Sequence, residues 1–349
     1  MKKSFLALAL LGAFSGAAFA QSSVTIYGIA DVGFQSLDNG TPAGRFTRIQ
    51  SGQEAGSRLG FKGTEDLGGG LKANFVLEQG ILLDTGASDQ SGKTFGRTSI
   101  VGLSGDFGAL NLGRDKTTTL KAFDNFDPFA SALINNGTGL RGLYFVGGTA
   151  NPAADTGGRV SNAVYYGTPA NLNGFSALVS YGFGEVAGDT SAGRSLGLNL
   201  GYKIDALELG YNYAKDNQIT TTVTNGMKAN TVFAAYDFGV AKPVAIYQKQ
   251  SADNGLDKKV YSLAVTVPVD TNAKVLAGFT QVKNNTLLAS GASVGNSKQF
   301  ALGYTYALSK RTDLYTAYAR LTQDAAAKEQ AVVAGASVTE FTAGIRHQF

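Results

Sequence analysis

The sequence predicts an all-β protein: a closed, sixteen-stranded antiparallel transmembrane β-barrel. Three observations point there. Apolar and polar residues alternate with period two along most of the chain, as in Leu196, Leu198, Leu200, Tyr202 and Ile204 against Ser195, Gly197, Asn199, Gly201 and Lys203. That period belongs to strands with one apolar face. The alternating runs last about nine to eleven residues, the span of a tilted membrane strand. Tight turns also alternate with long polar loops, a rim asymmetry typical of membrane barrels that a soluble sandwich has no reason to obey.

The chain opens on a segment outside that pattern. Lys2 and Lys3 precede an apolar run from Phe5 to Phe14 and a small-x-small site at Ala18-Phe19-Ala20. This order reads as a secretory signal peptide over residues 1–20, and the apolar run is shorter than the roughly 20 residues a spanning helix needs. Cleavage near Ala20 is expected, leaving one barrel domain over residues 21–349. Removing 20 of the 349 residues leaves 329, and losing two lysines takes the net charge from +4 to about +2. So small an excess argues against nucleic acid as a partner.

The strands then follow in order, at 23–37, 56–65, 71–83, 97–104, 108–116, 159–168, 174–183 and 194–204, and at 207–216, 228–238, 242–250, 258–268, 273–283, 297–308, 312–322 and 338–349. On the first, Tyr27 and Asp31 share the face expected to line the lumen. On the third, Leu71, Ala73, Phe75 and Leu77 face out, which turns Glu78 inward. Leu207, Leu209, Tyr211 and Tyr213 set the outer face of the ninth, Phe300, Leu302, Tyr304, Tyr306 and Leu308 that of the fourteenth, and Phe341, Ala343, Ile345 and Phe349 that of the last. Tight turns are expected at Asp66–Gly70, Gly105–Gly108, Pro169–Gly174, Asp205–Ala206, Asp237–Ala241, Val269–Ala273 and Ser309–Thr312. Between them lie long polar loops, including Asp38–Gln53, Asp216–Met227, Ser251–Asp257 and Lys283–Ser297. The longest by far is Lys116–Gly158, and a loop of that size is usually functional. An even strand count puts both termini on the short-turn rim, and pairing the first strand with the last removes edges that lipid does not tolerate.

Composition narrows the chemistry. There is no Cys, so disulfides, thiolate metal sites and cysteine nucleophiles are excluded. The one His, His347, shares the outward parity of Ile345 and Phe349, away from any lumen site. Most acid–base and zinc chemistry therefore lacks its usual residue, and neither an enzyme nor a bound cofactor or metal is expected. The run Gly137-Thr138-Gly139-Leu140-Arg141-Gly142 fits a dinucleotide-binding spacing but follows no strand of a βαβ unit, so it is read as chance.

Several segments resemble the general bacterial porin family of Gram-negative outer membranes, most closely its Neisseria/Burkholderia-type branch. They are SVTIYGIADVGF at Ser23–Phe34, SRLGFKGTEDLGG at Ser57–Gly69, GRTSIVGLSGDFGALNLGR at Gly96–Arg114, and the closing Gly344-Ile345-Arg346-His347-Gln348-Phe349. The resemblance covers the whole mature chain. It implies a homotrimer in the outer membrane, surrounded by lipid and lipopolysaccharide, each copy with its own water-filled pore for small hydrophilic solutes and ions. It also implies that the third long loop folds inward, with Asp124 and Asp127 as acidic residues at the constriction. Across from them the family's basic wall falls on Arg58, Arg97 and Arg159, with Lys62 beside Arg58 in parity. The terminal Phe349 corresponds to the signal read by the outer-membrane assembly machinery.

Within that wall Arg159 faces inward if Val164 and Tyr166 face out. Arg97 has a less regular parity because Ile100 and Val101 are both apolar. Arg114 shares the face of Leu110 and Leu112 and is left outside the constriction, at a strand end or a subunit contact. Lys121 lies in the constriction loop as a secondary lining candidate, with Tyr27, Asp31 and Glu78. Such a lining implies passive diffusion with a mild anion preference. A substrate-selective sugar or organic-anion channel on the same barrel is the nearer alternative, although this chain has no Trp for an aromatic track. A barrel enzyme and a soluble β-sandwich adhesin are the more distant ones.

Overall fold

A computed structural model describes residues 23–129, 133, 143–145, 158–170, 172–219 and 224–349. The expected signal segment and the Gly137–Gly142 run lie outside the described residues. The wall strands are β1 (Ser23–Asp38), β2 (Phe46–Ser51 and Arg58–Gly68), β3 (Leu71–Leu82), β4 (Thr98–Gly105), β5 (Gly108–Lys116), β6 (Arg159–Gly167), β7 (Phe175–Gly182) and β8 (Ser195–Ile204). They continue as β9 (Leu207–Ile219), β10 (Thr224–Tyr236), β11 (Lys242–Ala252), β12 (Asp257–Pro268), β13 (Ala273–Leu287), β14 (Ser293–Ala307), β15 (Thr312–Gln323) and β16 (Val338–Gln348). The two halves of β2 lie end to end against β1, so they count as one strand of a sixteen-strand wall. A two-residue segment, Ala87–Ser88, only extends the hairpin above β3.

Each strand pairs antiparallel with both neighbours, and the ring closes where β16 meets β1, from Ile29 opposite Gln348 to Asp38 opposite Thr339. Among the described residues no sheet edge is left for lipid to face unpaired. The last residue completes the seam: Phe349 N donates to Gly28 O at 3.1 Å and Gly28 N donates to Phe349 O at 3.0 Å. The Phe349 ring lies where a Cβ on residue 28 would stand, so only glycine fits.

Side-chain burial is inverted relative to a soluble protein. Ile26, Val101 and Leu263 are 63%, 60% and 66% exposed on the outer face, whereas Asn212, Thr231 and Gln248 are fully buried inside. This is the apolar-out, polar-in alternation of a barrel solvated by acyl chains.

Three departures from the sequence expectation have local causes. The stretches read as loops at Asp216–Met227 and Lys283–Ser297 are largely strand, because the β9–β10 and β13–β14 hairpins continue their ladders past the apolar band. Polarity marked them as wet without making them irregular. The Ser251–Asp257 connector is a tight turn, with Gly255 N bonded to Ala252 O at 3.1 Å. The upper half of β2 occupies much of the expected Asp38–Gln53 loop, and residues 52–57 then leave the ladder. That segment is pinned by the Asp31 carboxylate, which accepts from Gln53 N (3.2 Å), Glu54 N (2.9 Å), Ala55 N (2.6 Å) and Tyr315 Oη (2.7 Å).

After β5 the chain enters α1 (Thr118–Phe126), capped by Thr117, whose hydroxyl accepts from Leu120 N at 3.0 Å. A side-chain cap of this kind satisfies one of the four amides a helix start leaves open. Inside the barrel, Phe123 packs on Tyr144 and Phe233 with ring centroids 4.7 and 5.1 Å away, and Phe126 stacks on Phe233 at 4.9 Å. The wall beneath is thinned to receive the aromatics: Gly210 lies against Phe126, and Gly278 and Gly303 lie against Phe129. Polar ties complete the docking. Asn212 joins Thr118 and Thr119, and Gln248 holds both the N–H and the C=O of Phe145 on the return leg. The described parts of the loop therefore lie along the inner wall formed by β7–β14, and the space opposite them belongs to β1–β6.

Candidate functional site: a charged constriction

The lumen face of β1–β3 carries one connected charged cluster. Arg58 and Lys62 share the inner face of β2 with Gly60, whose missing side chain leaves room for the Tyr27 ring. Lys62 Nζ lies 5.2 Å from the centre of that ring. Glu78, inward on β3, is the hub. It accepts from Arg97 Nε at 2.7 Å and from Tyr27 Oη at 3.0 Å, and stands 3.9 Å from Arg58 Nη1. Arg97 precedes β4 and is 5% exposed, with Gly56 of the inner segment against its guanidinium. Arg58 Nε in turn donates to Gly56 O at 2.8 Å, so the segment held by Asp31 braces both arginines.

The opposing surface is the free face of α1. Asp124 pairs with Lys116 at 2.5 Å, and Lys121 pairs with Asp115 at 2.6 Å while lying 5.3 Å over the Tyr165 ring. Asp124 is close enough to Arg58 to interact electrostatically, and Lys116 likewise feels Arg58 and Arg97. The structure thus brings Arg58, Arg97, Glu78 and Tyr27 from the wall together with Asp124 and Lys121 from the loop. A partly exposed ion pair is worth at most about 1 kcal/mol. Burying an aromatic such as Phe123 or Phe129 contributes roughly 1.5–3 kcal/mol. Apolar docking therefore fixes the loop, and the charges set the field across the opening.

Other expected residues are placed differently. Asp127, the C-cap of α1, is 7% exposed and accepts from Phe129 N at 2.9 Å. Asp31 is inward but 0% exposed beneath residues 53–55, which makes it an anchor of that segment and not a lining group. Arg159 is 4% exposed and donates Nε to Arg97 O at 2.8 Å. A β-bulge at Ser161 and Asn162, the latter at φ 52°, packs Val160 with Ala163 and Tyr165, while Arg159 stands opposite Lys116 in the ladder. Arg114 lies at the same bulge, donating to Gly96 O at 2.7 Å and Ser161 Oγ at 2.8 Å within its own chain.

Lys116 is the constriction cation that reading the sequence missed. Its signal was the charge order Asp115-Lys116 before the Thr-Thr-Thr run and Lys121…Asp124 after it, which pairs across the start of a helix.

Comparison with known proteins decides what this arrangement belongs to. The Gram-negative porin family model matches residues 7–326. The chain belongs to the Gram-negative porin family. It is 36% identical to outer membrane porin protein 32 of Delftia acidovorans and 32% identical to an outer membrane porin of Bordetella pertussis, each over 100% of both chains. Among solved structures, the anion-selective porin from Comamonas acidovorans superposes with a TM-score of 0.81 at 33% identity, covering 94% of this chain and 100% of that one. OmpF of Salmonella typhi, at 17% identity and a TM-score of 0.70 over 93% and 97% of the two chains, shares the fold. The protein is thus an outer-membrane porin, and its barrel is a channel for solutes and ions. A polar lumen narrowed by an inward loop accounts for passive passage of water and small polar solutes.

Proposed function

We propose that this porin is a general diffusion channel with a mild anion preference, acting as a channel and not as a catalyst. The observation that carries the reading is the shared carboxylate at the constriction: Arg58 and Arg97 both face Glu78, leaving one positive charge in excess, while Asp124 is already paired with Lys116. A transverse field in a narrow opening orders water, disfavours apolar solutes, and favours small anions by its sign. Purified protein in a planar bilayer under a KCl gradient should give a zero-current potential shifted toward the chloride equilibrium value. A shift toward the potassium value overturns the lining assignment. In liposome swelling, neutral sugars should pass in order of size; one sugar far faster than its size allows would instead favour a substrate-selective channel.

The same reading includes assembly. Three copies form the working unit, giving conductance in three equal steps, and the assembly machinery engages the strand ending in Phe349. Residues 1–20 act as a cleaved export signal, so N-terminal sequencing of outer-membrane material should begin at Gln21.

A further inference from the structure

Where the inner segment of residues 52–57 meets the wall, three carboxylates surround one guanidinium. Asp31 comes from β1, Glu54 from the segment, Asp313 from β15 and Arg346 from β16. The three acids are 0%, 6% and 9% exposed. Two of them have donors. Asp31 takes the amides of residues 53–55 and the Tyr315 hydroxyl. Asp313 Oδ1 accepts from Arg346 Nε at 3.0 Å and stands 2.9 Å from Arg346 Nη2. Glu54 Oε2 lies 3.4 Å from that same Nε, which is already given to Asp313. Glu54 Oε2 and Asp313 Oδ2 are both buried and, among the described residues, neither has a hydrogen-bond donor. The two side chains are within hydrogen-bonding reach of each other. Asp31, Asp313, Tyr315 and Arg346 are the titratable groups that face Glu54 among the described residues.

Three ionised carboxylates against one guanidinium would leave two negative charges out of water. Burial and a like charge at close range both favour the neutral form of one acid, and a proton held between two carboxylates belongs to the pair. One proton on Glu54 Oε2, donated to Asp313 Oδ2, satisfies both donor-less oxygens at once. The same segment reaches the ion path through its backbone: Gly56 O accepts from Arg58 Nε, and Gly56 lies against the Arg97 guanidinium.

We propose that Glu54 and Asp313 share one proton, which holds the inner segment against β15 and β16, and that they thereby act as positioning residues for the basic wall formed by Arg58 and Arg97. The proposal rests on the anion preference inferred above and names what keeps that wall in place. Loss of the proton sets a second anion beside Asp313, drives the Glu54 side chain from the wall and brings a negative charge toward the two arginines. Anion preference is therefore highest at neutral pH and falls as pH rises.

The test is the zero-current potential of purified porin in a planar bilayer at about 0.01 M salt, followed from about pH 6.5 to about pH 9.5. A unit charge roughly 10 Å from the ion path, at a Debye length of about 30 Å, changes the chloride-to-potassium ratio by about threefold. Wild type should lose about that factor across the range. Glu54→Gln and Asp313→Asn, whose amides keep the hydrogen bond without a titratable proton, should each hold the neutral-pH ratio throughout. Lumen lysines are common to all three chains, so the difference between chains reads the shared proton alone. In infrared difference spectra the carbonyl band of a protonated carboxyl should be present in wild type at neutral pH and vanish with the same midpoint. A flat wild-type ratio overturns the proposal, as do variants that keep the wild-type pH profile and differ only in their heat-induced gel shift. Should neither variant fold, a wild type without the carboxyl band at neutral pH overturns it on its own. A channel with no anion preference at neutral pH, whose ratio still moves threefold toward potassium only when both acids are present, refutes the preference reading and supports the shared proton.

Discussion

Replacing Arg58 by Gln removes the excess charge at the constriction and should abolish most of the ion preference. Arg58 and Arg97 share one carboxylate, Glu78, so the triplet carries a net single positive charge, and Lys116–Asp124 is neutral. A unit charge roughly 5 Å from the ion path is worth about 0.8 kcal/mol in a water-like dielectric. The sign is opposite for chloride and potassium, so the gap between them is about 1.6 kcal/mol. At 0.1 M salt the Debye length of about 10 Å leaves about 1 kcal/mol of this, roughly a fivefold preference. At 1 M, with a Debye length of about 3 Å, less than about 0.4 kcal/mol survives and the preference falls below twofold. The zero-current potential across a bilayer at both salt levels measures this directly. Wild type should lose its preference as salt rises, and Arg58→Gln should sit near unity at 0.1 M already. A variant that keeps the fivefold ratio would show that the Arg58–Arg97–Glu78 triplet does not set the field.

Other consequences separate loop, wall and seam. Phe123→Ala empties a fully buried site between α1 and Phe233, a change that costs about 3–5 kcal/mol in a packed core. The loop should loosen, seen as larger unit conductance and faster entry of larger neutral sugars in liposome swelling, with the barrel still resistant to detergent. Leu263→Arg puts a charge on the lipid face at mid-strand and should cost about 2–4 kcal/mol, read as a lower temperature for the heat-induced gel shift. Deleting Phe349 removes the two backbone bonds to Gly28 at the seam. Refolding yield into lipid should drop, while any barrel that does form keeps its ion preference.

Much of this fold was legible because a membrane imposes a simple rule on every strand. Leu207, Leu209 and Tyr211 could be assigned outward from alternation alone, and the same rule placed Tyr27, Glu78, Arg58 and Lys62 on the inner face. What alternation could not carry was any point where the ladder slips. The bulge at Ser161 and Asn162 packs Val160 with the inner residues Ala163 and Tyr165, and nothing in that sequence marks it beyond an Asn able to adopt positive φ. The break in β2 was hidden for a related reason. Residues 52–57 are polar enough to read as loop, but their inward course depends on Asp31, remote in sequence, offering a carboxylate to their amides. Asp127 looked like Asp124 in composition, but only the fold shows that it caps the turn beside Pro128 and accepts from Phe129 N. Lys116 escaped notice because its partner is reached only once α1 has formed.

The account rests on Asp124 standing in the water path while the outer wall meets lipid. The chain has no cysteine, so a single introduced thiol reports on its own site alone. Current through Asp124→Cys channels should fall in discrete steps when a charged, membrane-impermeant thiol reagent is added, and Leu263→Cys channels should not respond. An Asp124→Cys channel indifferent to the reagent, or a Leu263→Cys channel blocked by it, would contradict the arrangement described.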